Sequence, residues 1–255
     1  MSTPLTRASY RNLGVALNMI MRPTPWLNIL GALTFIAFGI GIYLALVTSP
    51  PDENQGDLIR IMYAHVSVAW VCFLAVFLSA FFGSLFLWKP RIVYDLWATA
   101  SAEGALLFAT LTIVGGMTYS KPTLGVFWTW DAKLTLTALL LALLVGYFVV
   151  RSLIEDNQRR GRVAAVIMLV VLVSLPFNYL GAEWFRTLHP AKSINLDGSG
   201  VTMQPLFLRI LLFNTGVAAL SFLYLLLERV RVGRIEKNRH KDKTLNETDG
   251  ETIHV

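Results

Sequence analysis

The chain has 255 residues; 55% are hydrophobic, 15% are charged, and the mean hydropathy is +0.57. An ordinary soluble domain carries about 45–50% apolar and about 25% charged residues, so most of this apolar mass must face lipid, and disorder is excluded for the bulk of the chain. Net charge is +6, and the single cysteine, Cys72, excludes an intrachain disulfide scaffold.

About 20 mainly apolar residues cross a bilayer as a helix. Six segments qualify: Trp26–Val47, Ile61–Trp88, Trp97–Thr118, Ala132–Val150, Val163–Ala182 and Pro205–Leu227. The predicted fold is an all-α integral membrane protein, a bundle of six transmembrane helices over residues 1–230, with a basic and polar tail over 231–255 that reads, from about Arg234, as solvated and partly disordered. The first segment is too long and too cleanly apolar for a signal-peptide core and reads as a retained span. No internal repeat suggests inverted transporter halves.

The side of a membrane richer in Lys and Arg near span ends is cytoplasmic. Of the 22 basic residues, 16 fall on the side of the N-terminus, the second and fourth loops and the tail. The other side holds Arg60, Lys121, Lys133, Arg186, Lys192 and Arg209. Both termini are therefore predicted to be cytoplasmic. The basic excess is an orientation signal, reinforced by anionic membrane lipid, and gives no support to nucleic acid as a partner.

The unusual residues sit in the outer loops. Loop one, Thr48–Arg60, carries Pro50-Pro51, three acids and Gly56, and reads as a turn followed by a helix start. His65 follows, one turn into the second span. Ionisable groups in a membrane segment usually face the bundle interior or a cavity. The positive end of the helix dipole disfavours imidazolium there, and neutral imidazole is the metal-ligand form. An interfacial histidine bonded to a carbonyl or water is the plain alternative.

Loop three, Tyr119–Asp131, packs Phe127, Trp128 and Trp130 into four positions. Interfacial tryptophans explain lone cases such as Trp26, Trp88 and Trp97 but explain this cluster less well. In an extended segment, Trp128 and Trp130 share a face and would form a flat apolar shelf. Gly125 allows a positive φ or a close approach, and Asp131 stands where an N-cap for the fourth span is expected. Loop five, Glu183–Gln204, holds Glu183-Trp184-Phe185-Arg186-Thr187-Leu188-His189-Pro190.

Two imidazoles, an aromatic shelf and scattered cations on one side suit a flat apolar ligand with a metal centre and acidic substituents. Haem fits: iron takes axial His, the macrocycle stacks on aromatics, and propionates pair with Lys or Arg. Lys121, Lys133, Arg186 and Arg209 are the unranked candidate partners. Because His189 falls in a loop, the site reads as one that receives haem and passes it on.

The segment Gly125-Val126-Phe127-Trp128-Thr129-Trp130-Asp131 resembles the tryptophan-rich "WWD" motif of haem-handling proteins. With six spans, this length, and one outer histidine before and one after the motif, the chain is similar to the CcmC family of system I cytochrome c maturation, within the CcmC/CcmF/CcsA superfamily. The resemblance implies a bacterial inner-membrane component of an ABC-type complex with CcmA, CcmB and CcmD. It implies transient binding of haem b at the periplasmic face and transfer to the haem chaperone CcmE. The family's axial iron ligands map onto His65 and His189, its motif onto Gly125, Trp128, Trp130 and Asp131, and its Glu-Trp onto Glu183-Trp184; Phe127, Lys133 and Arg186 complete the expected haem-binding set. Three positions depart from the family pattern: Leu124 stands in place of a motif Trp, Lys133 in place of Arg, and Ser67 in place of Pro. Lys133 keeps the charge but loses the bidentate fork. The expectation is haem delivery rather than enzymatic catalysis, since no residue set resembles a nucleophile with a base.

Two rivals remain at this level: a quinone- or haem-dependent membrane oxidoreductase, and a secondary transporter for a small solute. The latter needs ionisable residues near mid-membrane. Glu103 is the one candidate, and it could line a cavity, bind another helix, or reach the inner interface.

Overall fold

A computed structural model of the chain describes residues 24–185, 187–189 and 203–251, with side chains through Arg239. Arg186, Pro190, Lys192 and His254 lie outside the described residues. Among the described residues six α-helices run back and forth: α1 (Pro25–Tyr43, continued by a π-helical turn, Leu44–Thr48), α2 (Ile59–Trp88), α3 (Ile92–Leu124), α4 (Ala132–Ser152), α5 (Asn157–Trp184) and α6 (Pro205–Glu251). All six are long and apolar enough to cross a membrane.

Local chemistry sets the helix ends. Pro25 opens α1, where its missing N–H costs nothing. Asp131 caps α4 by accepting from Leu134 N–H at 3.0 Å, and Asp156 caps α5 by accepting from Arg159 N–H at 2.7 Å. Loop one is the expected turn: Asp52 Oδ1 accepts from the N–H groups of Asn54 and Gln55, and Gly56 has φ +58°.

Two expectations need correction. Loop three does not begin at Tyr119; α3 continues to Leu124. Pro122 lies in the last turn, where it removes only the bond to the Thr118 carbonyl, and the helix stops at Gly125, whose φ of +78° provides the left-handed C-cap. At the other end of the chain, α6 runs to Glu251 without a break, so the polar stretch is helical where it is described. Its Lys, Arg and Glu are good helix formers, and Arg231 Nε donates to Glu228 Oε2 one turn away at 2.8 Å.

Helix α2 is the hub, packed on α3, α5 and α6; α4 leans on α3 and α5, and α1 on α6. The α2–α3 seam is rich in small residues, including Ala75, Ala80, Ala102, Ala105 and Ala109, all buried. Such residues let helix backbones approach closely where lipid gives no hydrophobic drive for helix association. Large side chains face outward instead: Phe35 is 79% exposed and Leu153 76%. On a water-soluble protein such a surface would aggregate; here it is the lipid face.

Two ion pairs tie helices together near one end. Asp95 on α3 accepts from Arg151 of α4 at 2.7 Å, with only 10% and 12% of the two side chains exposed. Glu103 on α3 accepts from Arg229 Nε and Nη2 on α6 at 2.6 and 3.0 Å. Of the roles open to Glu103, binding another helix is the one observed.

Candidate functional site

The alternation of the helices brings the end of α3, the starts of α2 and α4 and the end of α5 to one end of the bundle. His65 sits there, in the second turn of α2, and its neighbour across the seam is a glycine pair. A Cβ on Gly115 would lie 3.3 Å from His65 Nδ1, and one on Gly116 would lie 3.1 Å from Cε1. The two glycines form a cradle for the imidazole. Nδ1 is buried; the Thr112 main chain is the hydrogen-bonding group beside the ring, and among the described residues no bond of good geometry to Nδ1 forms. A histidine that ligates a metal normally gives its other N–H to such a group. Among the groups acting on His65 electrostatically are His189 and Lys133, so the fold brings the two outer histidines into one neighbourhood.

The segment between α3 and α4 supports this centre. Trp128 is half-buried, and its indole N–H is buried without an acceptor among the described residues. Trp130 is 79% exposed. The two rings meet edge to face, 5.7 Å apart and at 80°, so the expected flat shelf is not formed. The segment is irregular rather than extended in register, and the ring quadrupoles favour the perpendicular arrangement.

Asp131 does more than cap α4. Its Oδ2 accepts from the Thr129 hydroxyl at 3.1 Å, and its carboxylate also receives the Thr187 hydroxyl and the Leu188 N–H. The N–H of His189 in turn donates to Thr187 Oγ1 at 3.1 Å. One carboxylate therefore stitches the tryptophan segment to the strand of chain that carries His189. Burial pushes the Asp131 carboxyl up, but the donors around it outweigh burial and hold its pKa below the usual carboxylate value. The resulting stabilisation is fully present above the ordinary carboxylate range and is lost as pH falls through the lowered value. Asp131→Ala is expected to cost about 1 kcal/mol in thermal melting at neutral pH. Asp131→Asn keeps the cap, and its melting temperature should fall less steeply than wild type below about pH 4.

The remaining candidates divide. Lys133 is drawn inward: its ammonium donates to the carbonyl oxygen of Asn178 on α5 and, at 3.3 Å, to that residue's side-chain oxygen. Lys121 caps the end of α3 by donating to the Gly125 carbonyl at 2.9 Å, and it lies over the Phe127 ring at 5.2 Å. Phe127 is exposed, and Trp184 packs edge-on against Phe177 of its own helix, 6.0 Å away. Arg209 is exposed in the first turns of α6. Gly115, Gly116, Thr187 and Asn178 escape the sequence reading. The signal available for the first two is the glycine pair itself, which is unfavourable inside a helix unless packing requires it.

Fold and site define a multi-pass membrane protein whose candidate site, centred on His65, lies at one end of the bundle. The chain belongs to the family described as heme exporter protein C, which it matches over residues 8–245. Among relatives, the heme exporter protein C of Bradyrhizobium diazoefficiens is 32% identical over 188 residues, covering 72% of this chain and 69% of the relative. The heme exporter protein C of Haemophilus influenzae is 29% identical over 214 residues, covering 81% of this chain and 83% of the relative.

Proposed function

We propose that this chain holds haem as cargo at the periplasmic face of a bacterial inner membrane and delivers it for cytochrome c maturation, handing it to the chaperone CcmE. The observation that carries this reading is His65: a partly buried imidazole set in a glycine cradle, beside the Thr112 main chain and with a second histidine nearby. Two imidazoles alone do not complete an iron's coordination sphere; a macrocycle supplies the equatorial ligands, and axial His is what haem iron takes. The residues present fit such a cargo. His65 and His189 are the axial pair, Trp128 and Trp130 offer apolar edge and face to the ring, and the unsatisfied Trp128 N–H is a donor for a propionate.

The two ligands differ in how they are held. His65 is fixed by α2 and α3, whereas His189 is tethered through Thr187 and Asp131. Release of that tether would free one ligand without disturbing the bundle. The basic residues at the opposite end of the helices support cytoplasmic termini and hence a periplasmic site. The family description supports an exporter assembly, in which CcmA, CcmB and CcmD would be the partners. Co-expression with the chaperone tests the hand-off. Wild type should load it with haem, and His189→Ala should leave it unloaded while the membrane protein accumulates normally. Full loading by that variant would refute the assignment.

A further inference from the structure

At the end of the bundle opposite His65, α3, α4, α5 and α6 line an open cavity of about 350 Å³ whose wall includes Asp95, Arg151, Arg160, Arg229, Glu236 and Lys237. From Leu96 on this wall to Gly116 beside His65 is some 30 Å along α3, at about 1.5 Å per residue, so this is a separate place. The volume suits a small ligand. Gly233 on α6 keeps the wall closed: a Cβ there would lie 2.5 Å from Leu96 Cδ1.

The charges on this wall do not balance. Asp95 is engaged by Arg151 Nη2 at 2.7 Å. Arg229 gives Nε and Nη2 to Glu103, and Glu236 lies 3.6 Å from its Nη1. Among the described residues, that leaves Arg151 Nη1 and Arg160 Nε buried without an acceptor. Arg160 otherwise donates to the neutral Asn157 side chain, and Lys237 donates to the Ile92 carbonyl at 3.5 Å. Buried cationic donors without acceptors are costly; they come from Arg151 on α4 and Arg160 on α5, and the Lys237 ammonium of α6 adds a third cation to the same wall.

We propose that this cavity is an anion site that takes a phosphate group. A carboxylate has two oxygens and suits one guanidinium fork, whereas a phosphate carries enough acceptor oxygens to meet donors from three directions and prefers arginine. The group could belong to an anionic lipid headgroup, since the basic end of a membrane protein faces anionic lipid, or to free phosphate. Binding would cross-link α4, α5 and α6. The site does not depend on the haem reading.

The full chain in phosphatidylcholine nanodiscs tests this. Retention of phosphatidylglycerol is read by native mass spectrometry, and inorganic phosphate is titrated calorimetrically. Selective retention of phosphatidylglycerol over phosphatidylcholine assigns a lipid source; saturable binding of inorganic phosphate without that preference assigns a soluble one. In either case Arg160→Gln with Lys237→Gln should weaken binding at least ten-fold. Arg160→Lys with Lys237→Arg should restore most of it, with unchanged melting. The proposal is overturned if wild type shows neither behaviour, or if the neutral double variant binds as wild type does.

Discussion

His65→Ala is expected to leave the protein folded in the membrane and nearly free of haem. Loss of a group that merely orients a metal ligand typically costs about 10–100-fold in affinity, so loss of the ligand itself should cost at least that much. The side chain is only half-buried and its neighbours across the seam are Gly115 and Gly116, so its removal leaves a small void at the bundle end rather than one in the main core. The measurement is haem per protein after purification in detergent, with added imidazole as a rescue. Imidazole occupying the space should recover part of the haem in His65→Ala. Gly116→Val should lower haem content with His65 still present, because a side chain there meets Cε1 at 3.1 Å. A merely structural histidine would predict reduced melting without imidazole rescue.

Asp95→Ala should produce the largest loss of stability. It leaves Arg151 charged and buried, with its Nη1 already unpartnered. Removing one member of a buried pair costs about 3–5 kcal/mol, because the remaining charge stays desolvated. The damage lies some 30 Å along α3 from His65, so haem content per folded molecule should hold even as the melting temperature drops. Replacing both partners by apolar residues, Asp95→Leu with Arg151→Met, should recover most of the loss. If the single variant melts like wild type, the pair is not load-sharing between α3 and α4.

How far the sequence reveals this architecture depends on the feature. Spans are legible because an apolar run of bilayer length has few other readings; the start of α4 was expected at the observed residue because Asp131 is a good cap. The end of α3 was not, since Pro122 usually signals a break yet is tolerated in a last turn. His65 is legible as an ionisable group in an apolar run. Its cradle is not, because Gly115 and Gly116 lie some fifty residues away and only the α2–α3 packing brings them together. The same holds for Asp95–Arg151 and Glu103–Arg229, which join residues far apart in the chain. The aromatic cluster was located correctly, but its geometry was not: alternation predicts a shared face only for an extended strand, and this segment is irregular.

The central claim is that His65 and His189 hold haem iron between them. The visible spectrum of the purified full chain, reduced and oxidised in detergent, tests it most directly. The account predicts a low-spin bis-histidine signature in wild type that is lost in both His65→Ala and His189→Ala. A wild-type haem content and unchanged spectrum in either variant would contradict it.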